Sequence, residues 1–103
     1  MLTKYDQDVD AEIVGANLNR LLNQTFSLLP KYEENENWVK PLQTIIVELS
    51  GMSQLIPAQE DLFRLICKLE GMLNMADEIE FMLFRRHIFE ACSILSKLKD
   101  SVS

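Results

Sequence analysis

A single histidine, two cysteines and three glycines in 103 residues leave little of the material from which catalytic centres are built. No Gly-rich loop is present to cradle a phosphate. With three glycines and three prolines, the chain is neither collagen-like nor a low-complexity linker. Long apolar runs are missing too. The longest is Phe81-Met82-Leu83-Phe84, whereas a membrane-spanning helix needs about 20 such residues. The opening stretch MLTKYDQDVDAE has no apolar core and no Arg-rich amphipathic pattern, so no targeting segment is read there. The expected location is the cytoplasm, with both thiols reduced. Positive charge is in deficit: ten basic residues face sixteen acidic ones, for a net charge of −6. That argues against direct binding of nucleic acid or an anionic membrane through bulk charge.

What is present is helix. The hydrophobic fraction of 48% and charged fraction of 25% are ordinary for a globular domain. The length suits one core, so residues 1–103 are read as a single helical domain with flexible ends at 1–6 and 100–103. β-branched residues are scattered, and no stretch alternates apolar and polar. On a wheel of about 100° per residue, four amphipathic segments emerge.

The first covers about 8–29, with Ala11, Val14, Leu18, Leu21, Leu22, Leu28 and Leu29 on one face. Asp6, Asp8, Asp10 and Glu12 favour the positive end of its dipole. Pro30 is expected to stop it, leaving PKYEENEN at 30–37 as a loop with at most one loose turn. The second covers about 39–51, led by Trp38, with Pro41 tolerated in its first turn and Gly51 as its stop. The third runs from about 58 to 73 after Pro57. The fourth runs from about 77 to 99, with Asp77 as N-cap and Lys97 and Lys99 in its last turns. IIVELSGM at 45–52 echoes LICKLEGM at 65–72. The spacing of 20 is shorter than the roughly 34 residues of a helical-hairpin repeat, so two helix ends merely share a vocabulary. Four such helices on short connections predict an all-α fold, an antiparallel four-helix bundle.

Few constellations could carry chemistry. His87 and Glu90 share one side of the fourth helix, but a di-iron bundle needs two Glu-x-x-His pairs and further carboxylates. A rim histidine beside an acid is the expectation, with no metal and no cofactor. Cys67 and Cys92 should lie several turns apart, because a hairpin turning near residue 75 sets 67 opposite about 84. Cys92 reads as a small buried hydrophobe, and Cys67 lacks an activating base. Glu33, Glu34 and Glu36 form an acidic loop without the pattern of a calcium site. Arg85-Arg86 is the one basic doublet, and Arg86 can reach Glu90 at i+4. The chain is not expected to be an enzyme.

The fourth helix is the most informative. Phe81, Phe84, Ile88, Ala91, Cys92, Leu95 and Leu98 supply a core arc, and Ile79, Leu83 and Ile94 widen one flank. Met82 and Phe89 remain, on nearly the opposite side, among Arg85, Arg86, Ser93 and Ser96. Aromatics, Met and Arg are enriched at interface cores. Met82, Arg85, Arg86, Phe89 and Ser93 therefore form the candidate interface, with burial by the N-terminal segment or a loop, and plain exposure, as the competing accounts. Ile13, Phe26, Val47 and Phe63 are smaller apolar leftovers. The expectation is a non-enzymatic helical protein–protein interaction module, an adaptor, chaperone or regulator, self-associating as a homodimer through this helix. The alternative is an acidic inhibitor that mimics nucleic acid, which acids grouped on one face of the bundle would favour.

Overall fold

The computed structural model describes the backbone of residues 4–102 and the side chains of residues 12–102. Five helices follow one another: α1 Lys4–Phe26, α2 Leu28–Glu33, α3 Val39–Gly51, α4 Gln59–Asn74 and α5 Phe81–Val102. A 3-10 turn at Ser53–Leu55 links α3 to α4. The four long helices form an up-down-up-down antiparallel ring in which α1 packs on α3 and α5, and α4 fills the space between α3 and α5. The expected bundle is there, and the fourth helix of the sequence reading is α5.

The core follows the stripes. Val14, Leu18 and Leu21 of α1, Leu42, Ile45 and Leu49 of α3, Leu62, Leu65, Leu69 and Met72 of α4, and Phe84, Ile88, Ala91, Leu95 and Leu98 of α5 are all buried. Thr25, also buried, gives its hydroxyl to the Leu21 carbonyl at 2.7 Å.

Two boundaries differ from expectation, each for a local reason. Pro30 does not end the helical path. It bends it: without an N–H it cannot bond the Phe26 carbonyl, so the ladder breaks around Ser27 and restarts as α2 with Pro30 in its first turn. Leu28 and Leu29 stay buried across the bend. α2 then closes through Asn35, whose φ of 58° is left-handed. The Asn35 amide bonds the Tyr32 carbonyl at 3.1 Å and the Glu36 amide bonds the Lys31 carbonyl at 2.8 Å, a Schellman ending with Asn in place of Gly. Asn37 then caps α3, its Oδ1 accepting from the amides of Val39 (3.0 Å) and Lys40 (3.3 Å).

The second difference lies at the start of α5. Asp77 is not its cap. Residues 75–80 form a turn in which the amides of Glu78 and Ile79 both bond the Met75 carbonyl. Ile79 is buried, and the Tyr32 hydroxyl donates to its carbonyl at 2.6 Å. The ladder of α5 starts with the Phe84 amide bonding the Glu80 carbonyl at 3.0 Å, so the helix begins only at Phe81. At the ends, the helices reach Lys4 and Val102. Of the segments expected to be flexible, residues 1–3 and 103 lie outside the described residues.

Candidate functional site

The outer face of α5 is built from its helical repeat. Met82 and Phe89 lie two turns apart, with Arg85 and Arg86 between them and Ser93 one turn further on, exposed. Met82 is 66% exposed and Phe89 40%. The difference has a cause on α1. Phe26 meets Phe89 edge-to-face, with ring centroids 5.8 Å apart. The Arg85 guanidinium lies over the other part of the Phe89 ring, 4.8 Å from its centroid. Glu80, Met82, Leu83, Arg85, Arg86, Phe89 and Glu90 line an open depression of about 550 Å³. The five expected residues thus share one face. Phe26, taken from the sequence as an isolated leftover, joins them. Only the antiparallel register of α1 on α5 reveals that, and no feature of residues 20–30 encodes it.

Beside this face, α4 and α5 meet through charge. Lys68 Nζ contacts Glu90 Oε1 at 3.2 Å, while His87 Nδ1 stays 3.9 Å from the same oxygen. The expected Arg86–Glu90 pair is not formed. Lys68, mostly covered by the α4–α5 contact, reaches the carboxylate first. The Lys68 hydrogen bond and charge hold the Glu90 carboxyl below its ordinary range. Burial, reinforced by the Lys68 charge, lowers the His87 imidazolium pKa, and Glu90 opposes the shift only partly. Among the described residues, no group of three or more His, Cys, Asp or Glu is gathered as a metal would require.

Both cysteines are free. The expected register was off: the longer turn at 75–80 brings Lys68 level with Glu90, so Cys67 is not set far along the axis from Cys92. Different faces separate them instead. Cys67 is exposed on α4 beside Phe63, and the Cys92 thiol points at the Leu22 carbonyl of α1, 3.9 Å away. Burial pushes the Cys92 thiol up to about 11.

The far end of the bundle has its own character. The α2–α3 and α4–α5 connections lie side by side there, joined by the Tyr32–Ile79 bond. Tyr32, Trp38, Phe81 and Phe84 stack beneath them, with Phe84 4.7 Å from both Tyr32 and Trp38. Above this aromatic plug, Glu33, Glu34, Glu36, Asp77, Glu78 and Glu80 are all exposed. Elsewhere acids and bases intermix, as in Arg20–Glu48 at 3.0 Å and Arg64–Asp61 at 3.6 Å. Among the described residues, no helix is long and apolar enough to cross a membrane.

No protein-family model, no characterised protein sequence and no solved structure matches this chain.

Proposed function

We propose that this chain is a non-enzymatic, cytoplasmic helical interaction module, an adaptor, chaperone or regulator, whose outer α5 face receives another protein chain. The observation that carries the reading is the exposed Met82–Phe89 pair, in which Phe26 and Arg85 hold the Phe89 ring. Side chains held in place before a partner arrives lose less freedom on binding. No cofactor, membrane or nucleic acid enters this reading.

Self-association is the form of the proposal that purified protein tests alone. A homodimer at micromolar concentration, seen by sedimentation equilibrium, supports a second copy on this face. If a dimer forms, Phe89→Glu is expected to abolish it while the helical circular-dichroism signal persists, because Phe89 already meets water over 40% of its surface. Unfolding of the variant would instead assign Phe89 to the core and sink the reading. A wild-type protein that stays monomeric at high concentration leaves a different protein as the occupant.

The acidic end favours one further reading, an inhibitor that mimics nucleic acid. Six exposed carboxylates from two adjacent connections and the end of α2 support it. Its test is competition: a protein captured by the chain should be released by duplex DNA, and reversal of Glu33, Glu34 and Glu36 to Lys should abolish capture.

A further inference from the structure

Arg85 and Arg86 differ from the other arginines of the chain. Arg20 has Glu48 and Arg64 has Asp61. Neither Arg85 nor Arg86 has a carboxylate oxygen within 4.0 Å among the described residues. Scarcity of acid is not the reason, since the chain carries sixteen acidic residues. The nearest candidate on their own helix, Glu90, is taken by Lys68. Two guanidinium groups, the side chains best shaped for paired contact with carboxylates, thus have no carboxylate partner on this exposed face, although Arg85 also lies over the Phe89 ring.

We propose that the occupant of this face is an acidic amphipathic helix from a different protein. The inference rests on the α5 face being an interaction surface. Its apolar side chains cover Met82 and Phe89, and its carboxylates meet Arg85 and Arg86. Met82 to Phe89 spans two turns, about 10 Å at 1.5 Å per residue, which suits the i, i+3 or i+4, i+7 anchors of a helix laid on a groove. The same arginines weigh against a second copy. They lie midway between Met82 and Phe89, so a two-fold axis through the patch sets the arginines of one copy beside those of the other, and like charges opposed across an interface are costly. An extended polyanion, whether nucleic acid or an anionic bilayer, fits less well. Glu78 and Glu80 stand exposed just before Met82, and the whole chain is at −6. A short helix sets only a few carboxylates opposite Arg85 and Arg86 and can turn an apolar or basic residue toward Glu80, which lines the same depression.

Site-specific photo-crosslinking tests this in the cells that make the protein. A photo-crosslinking amino acid replaces Met82 in the full chain, and the attached peptides are sequenced by mass spectrometry. The expected product is a segment of another protein with apolar residues at helical spacing and Asp or Glu between them. Its yield should fall about tenfold or more with the pair Arg85→Glu and Arg86→Glu, and with the milder pair Arg85→Gln and Arg86→Gln. It should survive Arg64→Glu. Both arginines are exposed, so circular dichroism should show each double variant folded. Crosslinks to a second copy, to lipid, to nucleic acid or to a neutral or basic segment would overturn the acidic-helix proposal and leave the α5 face as an interaction surface. No crosslink to any molecule would overturn both.

Discussion

His87 stands at the seam of α4 and α5, with its Nδ1 atom buried and without a hydrogen-bond partner. Its depressed folded-state pKa has a definite consequence for stability. The unfolded chain takes up a proton near the ordinary value of 6.5 before the folded one does. The unfolded state therefore binds more protons in that window, and the stability present above it is lost as pH falls through it. Glu90, also shifted down, has the same sign but acts below its ordinary 4.5. The melting temperature should fall from about pH 7 to about pH 5, and His87→Gln should flatten that fall. An unchanged slope in the variant would assign the effect elsewhere. The thiols make a second case. Cys67 should react with a thiol reagent quickly in the folded protein and Cys92 slowly, because the thiolate is the reactive form and burial holds Cys92 near 11. Two equal, fast thiols in native protein would contradict the packing of Cys92 on α1.

At the scale of elements, the short helix α2 is the part the sequence concealed. The apolar stripes of α1, α3, α4 and α5 are legible because burial on one side imposes a period of about 3.6 residues. PKYEENEN has no such stripe. What orders it is a hydroxyl bond and a ring stack to residues far away in sequence, and an Asn in left-handed geometry that closes the turn locally. The candidate face was half legible for the same reason. Met82, Arg85, Arg86, Phe89 and Ser93 share a face by helical arithmetic alone, whereas Phe26 and Lys68 arrive from other helices at a register set by the length of the turns. Phe84 anchors α2 from the α5 side. Phe84→Ala is expected to cost about 3–5 kcal/mol and to speed hydrogen exchange in α2 before the rest of the bundle. Phe63→Ala, at a ring that is 70% exposed, should stay within about 0.5 kcal/mol. Equal costs from chemical denaturation would contradict this division between core and surface.

For the molecule as a whole, the decisive arrangement is that the ring closes between its most distant members. Lys68 meets Glu90 across 22 residues of chain, whereas Cys92 meets Leu22 across 70 and Lys99 meets Asn19 across 80. The α1–α5 seam is nevertheless the most extensive in the bundle. Time therefore separates what space puts together. A short loop closes with less loss of entropy than a long one, so the α3–α4–α5 hairpins can assemble while α1 is still searching. Truncations within the α4–α5 seam, such as Leu69→Ala, should slow refolding. Truncations at the α1 seam, such as Leu18→Ala, should chiefly accelerate unfolding, as stopped-flow measurements in denaturant would show. The helix that supplies Phe26 to the interaction surface is then the last to dock. A chain newly made, or briefly opened, would present Phe89 bare on α5 until α1 returns to cover its edge.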